Sequence, residues 1–139
     1  MPGRMKPLRI LVIDDDAAIT VALALVLRAR SHDVFTARDA ATGLASFAAH
    51  RPDVLITDII LSGDLAIEMI EQIRRASSEV LIIAMSGGFD LGGASLLHRA
   101  TAAGADVCLN KPFEMTELFE ALEQRHAKAT GPPDGLVRH

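Results

Sequence analysis

The stretch LRILVIDDD, residues 8–16, decides the fold: a run of branched aliphatic residues ends abruptly in three consecutive aspartates. A strand covered on both faces reads this way, because helices packed on either side leave it no polar face. Beyond the aspartates, AITVALALVLRA contains no glycine or proline and is rich in helix formers, so a helix is expected over about residues 17–30.

Working outward, the same alternation repeats. DVFTA at 33–37 is a second short strand, and ARDAATGLASFAA supports a helix to residue 49, with Gly43 lowering its intrinsic preference. Pro52 marks a boundary before DVLITD, which ends in Asp58. A loop through Ser62 and Gly63 leads to AIEMIEQIRRA, where Ile67, Ile70 and Ile73 give a helix one buried side. EVLIIAM at 79–85 is a fourth strand, GGFDLGG a loop, and LLHRATAAG a helix with Leu96, Ala100 and Ala103 on one face. DVCLN at 106–110 is the fifth strand, and Met115, Leu118 and Leu122 keep the spacing of a packed final helix. Strands alternating with helices imply an α/β domain with a parallel sheet covered on both sides.

The 139 residues suit one domain, with 50% hydrophobic letters to fill its core. Fourteen Lys+Arg against eighteen Asp+Glu give a net charge of -4, shared evenly by the two halves, which argues against a general nucleic-acid surface. The single Cys108 allows no intrachain disulfide, and the apolar runs are too short for a membrane span. MPGRMKPLRI enters the first strand without a separate signal core. The expectation is a soluble cytoplasmic protein: an N-terminal extension at 1–7, one domain at 8–126 and a loose Pro- and Gly-rich tail at 127–139.

In an open parallel sheet, side chains just past the carboxyl ends of central strands converge on one crevice. Here those positions carry Asp14, Asp15, Asp16, Asp58, Ser86 and Lys111. Crowded carboxylates repel unless a cation or proton compensates. Magnesium, which prefers oxygen ligands, answers that need, and no Cys/His spacing competes for zinc. Were Asp58 to attack phosphorus, Lys111 could offset the charge on the phosphoryl oxygens and the Ser86 hydroxyl could donate to one of them. Backbone N–H groups near Ile59, Ile60 and Gly87 could complete the cradle. Each residue alone has a plainer explanation. Helix capping accounts for one or two of the three aspartates, Asp58 and Ser86 suit turns, and Lys111 suits an exposed surface. Only the combination across successive strands points to a site.

These segments, in their order, resemble a response-regulator receiver domain of two-component signalling, over about residues 8–126. ILVIDDD resembles its acidic-pair segment, DVLITDI its phosphoacceptor strand, IIAMSG its hydroxyl-bearing strand and GADVCLNKPF its lysine–proline segment. The resemblance implies a doubly wound, flavodoxin-like five-stranded sheet of order 2-1-3-4-5. It assigns the phosphoacceptor to Asp58 and the remaining catalytic roles to Lys111 and Ser86. It assigns magnesium, with manganese able to substitute, to Asp14, Asp15, Asp58 and the Ile60 carbonyl, Asp15 binding more directly and Asp14 through water. The phosphoryl donor it implies is a histidine kinase or a histidine phosphotransfer protein. Such a domain catalyses its own phosphotransfer and dephosphorylation without being a classical enzyme, and Ser86, Cys108 and Pro112 fall at its switch and output positions.

The sequence also departs from that pattern. The family's proline and glycine after the phosphoacceptor correspond to Ser62 and Ala66, and its strand-five aromatic corresponds to Cys108. A cis Lys111–Pro112 bond is a further option at the final motif. Cys108 reads as a small packed residue, His98 and His126 as helix-surface residues, and Phe113 and Phe119 as core or interface contacts. On the first helix, Ile19, Ala22, Leu23 and Val26 are expected to face the sheet. Val21, Ala24 and Leu25 then form an apolar outer side suited either to a donor's helices or to no partner.

Two other functions compete: a receiver-like interaction scaffold without efficient phosphorylation, and a small aspartyl-phosphate hydrolase. No GxGxxG or GxxxxGK[ST] segment supports nucleotide binding. With no helix-turn-helix segment after residue 126, the sequence reads as a stand-alone receiver that relays phosphate or switches a protein contact, with no direct nucleic-acid binding or membrane insertion.

Overall fold

The alternation of apolar and helix-forming runs becomes, in chain order, β1 (Arg9–Ile13), α1 (Ala17–Ala29), β2 (Asp33–Ala37), α2 (Ala40–His50), β3 (Val54–Asp58), β4 (Ile60–Leu61), β5 (Asp64–Leu65), α3 (Ile67–Ala76), β6 (Leu81–Gly87), α4 (Gly93–Ala103), β7 (Val107–Lys111) and α5 (Met115–Ala129). These come from a computed structural model that describes residues 6–87 and 93–129. The main sheet has the order β2-β1-β3-β6-β7, and every pairing in it is parallel. Counting only its own strands, this is the expected 2-1-3-4-5 doubly wound, flavodoxin-like arrangement.

Alternation along each strand builds two cores. Leu11, Ile13, Leu55 and Ile82 pack with Met69, Ile70 and Ile73 of α3 and Leu96, Ala100 and Ala103 of α4. On the other face Ile10, Val12, Ile56 and Ile83 pack with Leu23, Ala24 and Leu27 of α1 and Leu118 and Leu122 of α5. Each fully buried aliphatic chain contributes about 2 kcal/mol, so the three central strands form the stable platform for whatever stands at their ends. Gly43 has a packing reason: a Cβ there would come within 2.5 Å of the Ile13 side chain, so its absence lets α2 lie close on β1.

Several local expectations change. On α1 the buried positions are Thr20, Leu23, Ala24 and Leu27, while Ala22 is exposed and Ile19 and Val26 are half-buried. In a helix apolar almost all round, the pattern offers no contrast to fix its rotation, and the i, i+3, i+4, i+7 stripe settles one residue away from the expected one. The loop through Ser62 and Gly63 is a small antiparallel hairpin, β4 pairing with β5. β6 runs through Ser86 to Gly87 instead of stopping at residue 85. Residues 127–129 continue α5. The rest of the expected tail at 130–139, residues 1–5 of the expected extension, and residues 88–92 of the GGFDLGG loop lie outside the described residues. Among the described residues no helix is long and apolar enough to cross a membrane.

Candidate functional site

Parallel strands deliver their carboxyl ends to one edge, and that edge collects most of the acids and the lysine singled out above. β1 ends at Ile13, so the next residues, Asp14 and Asp15, stand at its mouth; Asp58 is the last residue of β3 and Lys111 the last of β7. Oxygens of Asp14, Asp15 and Asp58 all lie within 4.8 Å of one another. Asp14 is 1% exposed and Asp58 8%, whereas Asp15 opens to solvent. Lys111 reaches in from the far side of β6, its Nζ 2.7 Å from Asp58 Oδ2 and 3.2 Å from Asp14 Oδ2.

Backbone donors hold the carboxylates in place. The Asp16 N–H donates to Asp14 Oδ1 and the Ile60 N–H to Asp58 Oδ1, each at 2.9 Å. The Ser62 N–H donates to Asp15 Oδ2 at 3.0 Å. The buried Thr57 hydroxyl donates to the Asp58 carbonyl at 2.9 Å. Asp16 takes the capping role, its side chain accepting the Ala18 N–H at the start of α1. The plainer explanation therefore accounts for one of the three aspartates and leaves two for the cluster.

Ser86 is 1% exposed and stands one residue beyond Met85, the partner of Asp58 in the β3–β6 register; its hydroxyl donates to the Gly87 carbonyl at 3.3 Å. Gly87 pairs with Lys111 across β6 and β7. The Ile59 N–H donates to the Met85 carbonyl at 2.9 Å, so it belongs to the sheet and not to the cradle. Cys108 lies apart from the acids. Its Sγ is 3.6 Å from Thr101 Oγ1 and 3.9 Å from the Leu97 carbonyl, packing β7 against α4. Lys111–Pro112 is cis and Pro112 is exposed. His98 is exposed on α4, while Phe113 and Phe119 pack against the α1/α5 core, Phe119 beneath the Arg30 guanidinium at 3.7 Å. Ser62 and Thr57 were missed from the sequence. The Ser62–Gly63 pair between two apolar-containing dipeptides was the available turn signal, but nothing local pointed to its partner Asp15.

Burial pushes the Asp14 carboxyl above the ordinary aspartate value, against the Asp16 N–H and Lys111, which favour its charged form, and nearby Asp58 adds to the rise. Burial pulls the Lys111 ammonium down, but its bonds to Asp58 and Asp14 outweigh that and leave it raised. Three carboxylates thus cluster where one ammonium pairs with Asp58 and Asp14, and Asp14 is incompletely compensated. The donor set is entirely oxygen, which fits a hard divalent cation such as magnesium and does not fit a thiolate- or imidazole-seeking metal.

Comparison with known proteins agrees with this geometry. A family model described as the response regulator receiver domain matches residues 10–123. The DNA-binding transcriptional regulator NtrC of Azospirillum brasilense is 33% identical over 132 residues, covering 95% of this chain and 27% of that protein. The transcriptional regulatory protein TrcR of Mycobacterium tuberculosis is 31% identical over 138 residues, covering 96% and 52%. The chain thus spans about half or less of the length of these curated relatives. A CheY-like response regulator receiver domain protein from Methanospirillum hungatei superposes with a TM-score of 0.80 at 25% identity, over 91% of this chain and 100% of that one. NtrX from Brucella abortus does so with 0.79 at 27% identity, over 89% and 28%. Strand order, acidic mouth and lysine agree with the family match: the chain belongs to the response regulator receiver domain family of two-component signalling.

Proposed function

We propose that this receiver takes a phosphoryl group onto Asp58 from a phosphohistidine of a histidine kinase or histidine phosphotransfer protein, then relays it or switches a protein contact in the cytoplasm. The observation carrying this reading is the Asp58 carboxylate, held on one oxygen by the Ile60 N–H and on the other by the Lys111 ammonium. As one Asp58 oxygen bonds to phosphorus, the phosphorus–nitrogen bond to the donor imidazole breaks and an acyl phosphate results. Lys111, already beside the carboxylate, moves its charge to a phosphoryl oxygen, and Ser86 turns its hydroxyl toward another. Ile60, whose N–H already donates to Asp58 Oδ1, and Gly87 at the end of β6 are the backbone donors this reading assigns to the cradle, Ile59 being committed to the sheet. The Asp14, Asp15 and Asp58 carboxylates and the Ile60 carbonyl would hold magnesium, or manganese in its place, and the ion would offset phosphoryl charge.

Changed bonding at Ser86 and Lys111 sits on β6 and β7, which carry α4 between them in the chain. With Cys108 lodged against Thr101 and Leu97, the contact between β7 and α4 involves no aromatic ring at that position. Val21 and Leu25, 57% and 65% exposed, stand on α1, which starts directly after the acidic residues, so a donor's helices seated there would lie beside Asp58. The working domain spans 8–126 in this reading, with 1–7 and 127–139 as flanks.

Incubation with a small phosphodonor, followed by intact-mass measurement, tests the chemistry. One phosphoryl group per chain is expected, lost when magnesium is removed and absent in Asp58→Asn. A chain that never gains the mass is the interaction scaffold. One that releases many phosphates per molecule is the hydrolase.

A further inference from the structure

We propose that the Ser62 backbone N–H is a positioning group for Asp15: through it the β4–β5 hairpin holds that carboxylate ready for a divalent cation. The inference rests on the phosphoacceptor reading for the cation, and on this chain's own geometry for the tether. Each of the three clustered carboxylates accepts one backbone N–H: Asp14 from Asp16, Asp58 from Ile60 and Asp15 from Ser62. Asp14 and Asp58 are additionally held by Lys111, whereas among the described residues the Ser62 N–H is the only hydrogen-bond donor to the Asp15 carboxylate. Asp15 is also the exposed member, the one whose side chain would otherwise sample several rotamers and lose that freedom on binding an ion.

The hairpin can make this bond because of its turn. Ser62 has φ 53 and Gly63 φ 85, consecutive left-handed residues of the kind that close a two-residue hairpin. Ile60 pairs with Leu65 and Leu61 with Asp64. The base is anchored: Leu61 is buried, and the Ala66 N–H donates to the Ile59 carbonyl at 2.6 Å. A rigid base and a left-handed tip together aim the Ser62 N–H at a carboxylate 47 positions earlier in the chain. A proline here, with φ fixed at about −65° and no N–H, permits neither the turn nor the bond. The bond uses Oδ2 and leaves Oδ1 available to an ion, an arrangement in which partners behind a ligand fix its orientation and raise affinity.

Magnesium affinity, measured by titration calorimetry on the full chain, tests the tether. Ser62→Gly keeps the N–H and tolerates the left-handed backbone, so its affinity should match wild type. Ser62→Pro should bind roughly tenfold more weakly. Equal affinity in Ser62→Pro and wild type overturns the inference. Because proline disturbs more than one bond, amide exchange gives a second measure on an unaltered hairpin. Asp15→Ala should speed exchange at Ser62 while Ala66, bonded to Ile59, stays slow; unchanged exchange at Ser62 also overturns the inference. A wild-type chain that binds no magnesium removes the phosphoacceptor reading and this inference together. A wild-type chain that binds it no better than Ser62→Pro removes only this inference.

Discussion

The two ends of the sheet treat charge in opposite ways. At the amino ends of β3, β6 and β7, charges are matched. Asp53 accepts the Arg9 N–H at 2.9 Å and faces Arg125 at 3.5 Å, while Arg125 Nε donates to the Asp53 carbonyl. Arg74 donates to the carbonyls of Ser77, Ser78, Val80 and Gly104 and to Asp106 Oδ2, which also accepts the Ile82 N–H. At the carboxyl ends, three carboxylates crowd together, a single lysine pairs with two of them, Asp58 and Asp14, and burial works against the charge on Asp14. The amino end uses polar groups to tie elements together, and the carboxyl end keeps charge in excess. An arrangement that stability alone would not favour, retained at one place, is where function is to be sought.

The contrast can be broken most forcefully at Lys111. Replacing it with alanine should slow phosphoryl uptake from a small donor roughly a hundredfold, followed by intact mass over time, with the fold retained. Uptake at the wild-type rate would remove the lysine from the chemistry. Arg74→Met should do the reverse: urea unfolding should register a loss of about 2 kcal/mol from carbonyls left without their donor, and uptake should be unchanged. Slower uptake in that variant at undiminished stability would erase the division between the ends.

Smaller changes sharpen the comparison. Leu25→Glu should slow transfer from a phosphohistidine protein several-fold while sparing the small donor; equal effects on both would show that α1 does not deliver the phosphate. Asp39 gives the mildest case, an acid beyond the carboxyl end of β2 whose bonds are wholly local. The Thr42 N–H and hydroxyl, at 2.8 and 2.9 Å, hold its carboxyl below the ordinary value of 3.8. A lowered folded value means the contribution is complete above 3.8 and fades as pH falls through the depressed value. Asp39→Ala should therefore melt slightly lower than wild type at neutral pH. Thermal scans should show the gap closing in acid, and phosphoryl uptake should not change.

Much of the fold was legible because its signals are local. β2 was read at 33–37 and found there, and β1 and β3 each lie within one residue of their expected limits, since an apolar run either fits between two helix layers or does not. The face of α1 was not legible, because Ala22, Ala24 and Val26 carry little to distinguish inward from outward. In the site, Asp14, Asp15, Asp58 and Lys111 announced themselves as charged residues where apolar strands stop. Ile59 did not announce that its N–H is taken by Met85, nor Ser62 that its own reaches Asp15, because both facts depend on a second strand or loop distant in sequence.

By itself the sequence determined which segments are the helices and the strands of the main sheet, and which of those strand ends carry acids, a hydroxyl and a lysine. Periodicity and the placement of polar residues act over a few neighbouring positions, so they can be read along the chain. Only the tertiary structure decided that Lys111 lies between Asp58 and Asp14, that the segment after Asp58 turns back as a hairpin onto Asp15, and that Cys108 rests on α4 away from the acids. Those outcomes follow from strand register and from backbone groups finding partners tens of residues away, where packing, and not local preference, sets the distance.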